Sequence, residues 1–276
     1  MIYKKDKLTI DGVDIGFLAR RFKTPIYCYS QKKIKDNILN LKKHFRKIKP
    51  LICYAVKANA NLGILKEIKK YNLGADVVSI GELMKALKVG INPKKIVFSG
   101  VGKTSNEIEY ALNKNILLIN TESKSEILEI EKIAIRKKKF VNIGIRLNPN
   151  TDAQTLSQIS TGKKENKFGV NQKTFLQLVS YLKKSKYLKL NCLSVHIGSQ
   201  ILNYKPYQNM LNVIDKIIKK SKYKFEYIDL GGGMGIDYDH NNSKLDLRKY
   251  SQNILNFLKK NNSKIIFEPG RFIVGN

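Results

Sequence analysis

Short apolar runs rich in β-branched residues alternate along this chain with longer segments that carry apolar residues at helical spacing. Eight apolar runs occur, at 51–58, 75–79, 95–100, 116–120, 140–147, 190–198, 225–233 and 264–270. Apolar strands separated by amphipathic helices are typical of a parallel sheet covered by helices. Eight of them within about 220 residues predict an α/β fold with a TIM-like (β/α)8 barrel, and a doubly wound open sheet is the alternative.

Both ends of the chain fall outside this alternation. Residues 1–24 precede the first predicted helix, SQKKIKDNILNLKKHF, and are predicted to form a short β-rich lead-in, so the barrel is expected over 25–276. No helix is predicted after the eighth run to complete the ring. We therefore expect either that another element closes the barrel or that the chain is cut short.

The formal net charge of +30 allows two interpretations. Basic surfaces attract the phosphates of nucleic acids. The 45 lysines are, however, spread evenly along the chain, and no helix-turn-helix, zinc-finger or RNA-binding aromatic motif accompanies them. A compositional bias towards lysine is therefore favoured, and no nucleic-acid partner is expected.

Cysteine spacing and apolar run length indicate where the protein works. Cys28, Cys53 and Cys192 show no paired spacing, which argues against a disulfide framework or a zinc site and favours a reducing cytoplasm. No run approaches the roughly 18 apolar residues of a membrane span. Neither a bound metal nor a membrane partner is expected.

Polar residues and glycines follow six of the eight apolar runs. In α/β barrels the C-terminal ends of the strands form one rim, where active sites lie. Each residue alone has an ordinary structural explanation, such as an ion pair between Glu268 and Arg271. Together they supply an amine, a flat ring, backbone donors for a phosphate and a carboxylate, which are the groups that bind and activate pyridoxal phosphate. The set includes Lys57, Asp76, Arg146, His196, Ser199, Gly231, Gly232, Gly233, Glu268 and Arg271.

Lys57 differs from the other lysines in its surroundings. It directly follows the apolar run 51–56, where an ammonium is expected to be poorly solvated. Desolvation lowers the pKa of an amine and favours the neutral form that reacts with an aldehyde. A nearby motif, SGVGKTS at 99–105, imitates a P-loop but has Val97 where the first glycine is required, so nucleotide binding is not expected.

Seven motifs together closely resemble the diaminopimelate decarboxylase family. This family belongs to the alanine-racemase-like, fold-type III class of pyridoxal phosphate enzymes, which includes ornithine and arginine decarboxylases. HIGSQI and ISTG…KFG favour the diaminopimelate branch. The motifs are YAVKANANLGIL, GADVVSIGEL, FSGVGKT, ISTGKKENKFGV, HIGSQI, IDLGGGMGIDY and EPGRFIVGN.

The resemblance implies a role for each residue of the rim. Lys57 would form the Schiff base with the cofactor, His196 would stack on its ring, and Glu268 would pair with the protonated ring nitrogen. Asp76 and Arg146 match positions near the cofactor. Arg271 would bind either the cofactor phosphate or a substrate carboxylate. The phosphate end would be held by Ser199, Gly231, Gly232, Gly233 (the strongest single candidate), Pro269 and Gly270.

The resemblance also implies a reaction and an assembly. The reaction is the decarboxylation of meso-2,6-diaminopimelate to L-lysine and CO2, the last step of lysine biosynthesis, in a cytoplasmic homodimer with a shared active site. Family members continue beyond EPGR into a C-terminal β-domain that packs with the segment corresponding to 1–24. That domain is missing from the 276 residues, so the chain is expected to be a partial enzyme.

Three alternatives remain open at this point. The chain could decarboxylate another basic amino acid, such as ornithine or arginine. It could be a pyridoxal phosphate-binding barrel without activity, or a basic protein that binds nucleic acid.

Overall fold

Eight parallel strands close into a barrel, which confirms the predicted (β/α)8 fold. The computed structural model describes residues 2–4, 6–155, 159–162, 167–238, 241 and 244–275. The barrel order follows the sequence, and each strand pairs with the next. The strands are β4 (Leu51–Ala55), β5 (Gly74–Val77), β6 (Ile96–Phe98), β7 (Leu118–Thr121), β8 (Val141–Arg146), β9 (Leu188–Ser194), β10 (Tyr227–Asp229) and β11 (Lys264–Phe267).

Helices connect the strands around the outside of the barrel. Several begin at a polar residue whose side chain accepts a hydrogen bond from the first helical turn, as Ser79 does from the Glu82 N–H and Thr104 does from the Glu107 N–H. The helices are α2 (Gln31–His44), α3 (Leu62–Lys70), α4 (Ile80–Lys88), α5 (Ser105–Asn113), α6 (Lys124–Lys137), α7 (Gln172–Leu182), α8 (Lys205–Ser221), α9 (Leu247–Leu258) and α10 (Arg271–Val274).

The ring closes within the chain, although no helix was predicted after the last strand. β11 pairs directly with β4, with Ile266 opposite Leu51, and the Ala55 N–H donates to the Pro269 carbonyl at 3.2 Å. Helix α2, which precedes the first barrel strand, packs against α9 and α10 and covers this junction. The helix that completes the outer layer therefore comes from the start of the chain.

The lead-in contains more helix than the sequence indicated. Its strands, β1 (Ile2–Lys4), β2 (Lys7–Ile10) and β3 (Val13–Asp14), form a separate antiparallel sheet. Helix α1 (Ile15–Phe22) then follows, because Asp14 caps it by accepting a hydrogen bond from the Gly16 N–H at 2.8 Å. Apolar side chains of this segment stay exposed, including Phe17 at 50% and Phe22 at 64%.

An aromatic cluster packs under one sector of the rim. Tyr207 of α8 and Tyr250 of α9 stack with ring centroids 4.2 Å apart, and the Phe267 and Phe45 rings lie beside them. The buried Tyr207 hydroxyl donates to the Gly232 carbonyl at 3.1 Å. The cluster therefore holds the glycine turn that follows β10 against the helical layer.

No helix within the described ranges is long and apolar enough to cross a membrane.

Candidate active site

Lys57 lies at the rim, in a single 3-10 turn (Val56–Ala58) that follows β4. Its side chain is half exposed at 52%, and its Nζ lies 3.2 Å from Asp76 Oδ2. The Asp76 carboxylate outweighs desolvation and raises the pKa of Lys57, with a further contribution from Glu268. The prediction of a poorly solvated lysine with a lowered pKa is therefore wrong. The strand ends two residues before Lys57, and the neighbouring strand supplies a counter-charge.

Asp76 is placed by the pairing of two adjacent strands. In the register of β4 and β5, Asp76 is opposite Ala55, two residues before Lys57. The Asp76 side chain is fully buried, and its second oxygen, Oδ1, has no hydrogen-bond partner among the described residues. A buried carboxylate oxygen costs free energy when it is unpaired, so this atom indicates a donor-bearing ligand or an ordered water.

The His196 ring follows β9 and is held in one tautomer. Its Nδ1 lies 3.2 Å from the Gly232 nitrogen and accepts that N–H, which leaves the ring proton on Nε2. Burial lowers the pKa of His196 well below its usual value, and the positive charges of Arg146 and Lys57 lower it further. The structure therefore presents a neutral, flat ring at the rim.

Glu268 follows β11 and forms a carboxyl pair with Asp229 at the end of β10. Both side chains are almost entirely buried, and they hydrogen-bond to each other, which requires a proton on one of them. Burial, followed by the charges of Asp229 and Asp76, raises the pKa of Glu268 well above its usual range. Like charges this close disfavour ionisation of both groups, so the pKa values of Asp229 and Glu268 are both raised.

The sequence reading missed Asp229 and the polar residues that support it. The Asp229 carboxylate accepts the Gly231 N–H at 2.9 Å, the Asn120 amide at 2.8 Å and the Ser194 hydroxyl at 3.2 Å. The Ser99 hydroxyl lies 3.4 Å from Glu268. Ser99 directly follows β6 and Asn120 lies in β7, the two strands that had yielded no candidate. The sequence did hold a signal for both, since each is a lone polar residue near the end of an apolar run.

The glycine turn at 231–233 is packed too tightly for side chains. Gly231 and Gly233 have φ angles of 63° and 83°, in the left-handed region. A Cβ at Gly232 would overlap the Glu268 carbonyl, and one at Gly233 would overlap the Gly198 carbonyl. The Gly231 and Gly232 N–H groups are taken by Asp229 and His196. Within the described part of the chain, the Gly233 N–H has no acceptor, which leaves it as a donor for a ligand.

Replacing Gly233 with alanine tests this turn. We expect the free energy of unfolding to fall by about 1–3 kcal/mol, because a non-glycine residue at this φ is strained and the new methyl group meets backbone. Urea unfolding of the purified chain measures it. Gly102→Ala is the matched control, since a Cβ there meets nothing within 4 Å, and it should change stability by less than about 0.5 kcal/mol. Equal stability of the two variants would contradict the tight-turn interpretation.

Arg271 is the first residue of α10, and its side chain lies beside Ser199. Its Nε donates to Ser199 Oγ at 3.3 Å, and its Nη1 donates to the Tyr238 hydroxyl. No ion pair with Glu268 forms within the described residues, so that structural alternative does not apply. Gly270 precedes Arg271 and lies close to Ala58, where a Cβ would come within 2.9 Å of the Ala58 Cβ. This packing holds the end of β11 near the turn that bears Lys57.

Arg146, at the end of β8, is held by two contacts. Its Nη1 donates to Glu122 Oε1 at 3.1 Å, and its guanidinium lies 4.7 Å from the centre of the Phe168 ring. Glu122 also accepts the Gly169 N–H at 3.0 Å. Arg146 therefore contributes a fixed positive charge near His196. The motif ISTGKKENKFGV lies partly outside the described residues, at 163–166.

Lys103 of the P-loop-like motif has a structural explanation. Its buried Nζ donates to the Gly100 and Asn120 carbonyls at 2.6 and 2.8 Å and pairs with Glu126 at 2.6 Å. The side chain is 1% exposed. Because all three of its donors are used inside the protein, Lys103 is not available to a nucleotide phosphate.

The residues at this rim fit pyridoxal phosphate. Lys57 supplies a reachable amine, His196 a neutral ring, and Glu268 a buried carboxyl group. The unpartnered Asp76 Oδ1 and the Gly233 N–H offer an acceptor and a donor. These groups come from separate strands and converge because the barrel brings all eight strand ends to one rim.

Comparison with known proteins shows the family. The family model described as the pyridoxal-binding domain of the pyridoxal-dependent decarboxylases matches residues 31–275. The chain is 47% identical over 260 residues to diaminopimelate decarboxylase of Helicobacter pylori strain J99, covering 93% of this chain and 64% of that protein. It is 39% identical over 281 residues to the Aquifex aeolicus enzyme of the same name, covering 99% and 66%.

Solved structures show the same relationship. The crystal structure of the Helicobacter pylori diaminopimelate decarboxylase complexed with L-lysine superposes with a TM-score of 0.90 at 45% identity, over 94% of this chain and 66% of that one. The enzyme from m. jannaschii, also in complex with L-lysine, gives 0.89 at 33% identity, over 98% and 66%. The chain thus spans a little under two thirds, 64%, of the length of the Helicobacter pylori enzyme. It belongs to the pyridoxal-dependent decarboxylases, and its barrel is their pyridoxal-binding domain.

Proposed function

We propose that this chain binds pyridoxal 5'-phosphate at the rim and contributes to the decarboxylation of meso-2,6-diaminopimelate to L-lysine and CO2. One observation carries the proposal. Lys57, Asp76 and Glu268 converge at one rim in a chain that is 47% identical to a diaminopimelate decarboxylase over 93% of its length. Two related structures with L-lysine bound support this product.

The cofactor supplies the chemistry that side chains lack. When bound, pyridoxal phosphate offers an aldehyde that bonds to an amine and a ring that draws electrons away from the bond being broken. Lys57 would hold the aldehyde end through its Nζ. The Gly233 N–H, Ser199 and Arg271 would hold the phosphate end. The neutral His196 ring would lie against the cofactor ring.

Proton positions at the site follow from the described contacts. The Lys57 ammonium has to lose a proton before its nitrogen can react, and Asp76 Oδ2, at 3.2 Å, is placed to take it. Burial beside Asp229 and Asp76 raises the pKa of Glu268 and favours its protonated form, which could donate to the ring nitrogen of the cofactor. Asp229 keeps the Glu268 carboxyl in place and fixes the glycine turn through the Gly231 N–H. Because Glu268 and Asp229 are buried from solvent, the electrostatic interactions between them are stronger than they would be in water.

Substrate competition tests the proposed reaction. The purified chain, loaded with pyridoxal phosphate, is given meso-diaminopimelate, L-ornithine or L-arginine, and CO2 and the amine product are measured. We expect CO2 and L-lysine from diaminopimelate. Faster CO2 release from ornithine or arginine would favour a related decarboxylase. Attachment of the cofactor to Lys57 with no CO2 from any substrate would favour a barrel that binds the cofactor but does not decarboxylate by itself.

Further parts of the proposal concern assembly and location. We infer that residues 1–24 belong to a second, β-rich unit, and the exposed Phe17 and Phe22 side chains of this segment support the inference. A homodimer with a shared site and a cytoplasmic location stay predictions. Sedimentation of the loaded chain would test the first of these.

A further inference from the structure

Basic residues are concentrated at the end of the barrel opposite the candidate active site. This end, the N-terminal rim, comprises the last four residues of each helix from α2 to α9, the connection that follows, and the first residue of the next strand. It carries 26 of the 52 Lys and Arg residues but only two of the 22 Asp and Glu, Glu67 and Glu226. Because the strands are parallel, all eight of these segments meet at one end.

The even spacing of lysines along the sequence therefore becomes an uneven distribution in space. Each of the eight segments that run from the last turn of a helix to the next strand carries at least one basic residue, and all eight segments lie at the same end of the barrel. Helix dipoles favour cations in the last helical turn, but most of these residues lie beyond the helices, in the connections. The two acidic residues are already engaged, Glu67 with Lys70 and Glu226 with Lys264.

An exposed aromatic ring lies among the basic residues of this rim. Phe140 precedes β8 and Tyr187 precedes β9, and the register that pairs Val141 with Leu188 brings them side by side. Their rings are stacked, with centroids 5.8 Å apart and planes at 27°, and Phe140 is 78% exposed. The Lys186 ammonium lies 5.8 Å from the centre of the Tyr187 ring. A flat exposed ring among cations can stack on an unpaired base while lysines contact phosphates.

We propose that the N-terminal rim binds single-stranded nucleic acid, with phosphates on its lysines and a base on Phe140. The prediction of no nucleic-acid partner rested on even lysine spacing along the chain and on the lack of a known binding motif, and the fold removes the first of these grounds. A membrane surface fits less well, because an apolar helical face that inserts strengthens binding there, whereas here one stacked pair of rings lies among the cations. Duplexes fit less well because their bases are not free to stack.

Salt-dependent binding tests the electrostatic half of the proposal. Fluorescence anisotropy with a labelled oligouridine gives the affinity of the purified chain at several salt concentrations. The substituted chain carries Lys138→Gln, Lys184→Gln, Lys186→Gln and Lys224→Gln, all exposed at the N-terminal rim. We expect the slope of log affinity against log salt to become shallower by up to about three, since each phosphate contact contributes about 0.7.

The matched control removes the same charge from the other end of the barrel. It carries Lys33→Gln, Lys124→Gln, Lys173→Gln and Lys205→Gln, exposed residues in the first turns of α2, α6, α7 and α8. We expect its slope to stay within about one of the unsubstituted chain. Equal slopes for the two quadruple variants would overturn the proposal, because net charge alone would then explain the binding. Both should take up pyridoxal phosphate as the unsubstituted chain does.

Phe140→Leu tests the base contact. We expect affinity for oligouridine to fall roughly tenfold, with little change for heparin, which has no bases. Tyr27→Leu is the control, since Tyr27 is 92% exposed and lies in the segment before α2, outside the rim. Unchanged oligouridine affinity in Phe140→Leu would leave only polyanion attraction and overturn the proposal. Tighter binding to phosphatidylserine vesicles, weakened by Phe140→Leu, would overturn it in favour of a membrane surface.

Discussion

Lys57→Ala is expected to abolish site-specific attachment of pyridoxal phosphate to this chain. Lys57 provides the amine closest to Asp76 and Glu268, and no other residue at the described rim can replace it as a nucleophile. Borohydride reduction of the loaded chain, followed by peptide mass mapping, measures the attachment. In the unsubstituted chain we expect the label on Lys57. In Lys57→Ala the label at this peptide should fall to background, and decarboxylation by about 10⁴-fold or more.

Lys66→Ala is the control for this experiment. Lys66 is an exposed lysine of α3, nine residues away in sequence, and its removal should leave the label on Lys57 unchanged. The control is needed because the chain has 45 lysines, and any exposed amine can react slowly with an aldehyde. Labelling spread over many lysines, with no loss in Lys57→Ala, would contradict the assigned role.

The pH dependence of attachment follows from the same contact. The Asp76 carboxylate raises the pKa of Lys57, so less of the reactive neutral amine is present at a given pH than for a free lysine. Attachment should therefore become faster as pH rises towards this raised pKa. In Asp76→Asn the main cause of the shift is removed, and the whole profile should move to lower pH. Stopped-flow absorbance at a series of pH values measures the profile, and superimposable curves would contradict the contribution of Asp76.

The sequence predicted the barrel and most of its rim, but not the electrostatics of the site. Continuous apolar runs identify strands because both faces of a barrel sheet are buried, and residues that follow those runs must lie at one rim. The pKa of Lys57 depends on Asp76, however, and their contact exists only through the pairing of β4 with β5. Both residues were visible in the sequence, but the strength of their charge interaction depends on the distance between them, which the sequence does not show.

Buried polar residues within strands were missed for a related reason. Asp229, Asn120 and Ser99 each stand alone in or beside an apolar run, and nothing local shows whether such a residue faces the barrel interior. Register and tilt decide this, and they are set by all eight strands together. The basic end of the barrel was missed in the same way. Lysines that are evenly spaced along the chain recur in the last turn of each helix or just after it, and the barrel brings all of these positions to one end. Local cues fail wherever a property depends on neighbours from other strands.

Glu268→Gln is expected to change stability and cofactor affinity in opposite directions. Burial raises the pKa of Glu268 well above the value of 4.5 that it has in an unfolded chain. The folded chain then binds a proton that the unfolded chain releases, so the free energy of unfolding falls as pH rises from the unfolded pKa through the folded one. Glutamine cannot ionise, and the melting temperature of the cofactor-free variant should exceed that of the unsubstituted chain by an amount that grows with pH.

Glu109→Gln provides the control of opposite sign. A hydrogen bond from Lys137 lowers the pKa of the partly exposed Glu109 carboxylate, so its contribution is present at neutral pH and is lost as pH falls through the lowered pKa. Its removal should slightly lower the melting temperature at neutral pH and have no effect in acid. Melting curves of the three proteins between pH 3 and pH 9 separate the two patterns, since the Glu109 contribution is lost only below its unfolded pKa of 4.5.

The affinity of Glu268→Gln for pyridoxal phosphate distinguishes a functional carboxyl from a merely buried one. A hydrogen bond to a charged group contributes about 1.5–3 kcal/mol, so loss of the pair with a protonated ring nitrogen should weaken binding by roughly 10- to 100-fold. A carboxyl with only a structural role would show the gain in melting temperature without this loss. Binding as tight as in the unsubstituted chain would therefore remove Glu268 from the site. A more stable chain that holds its cofactor less well would show that the buried acid is retained for binding, at a cost in stability.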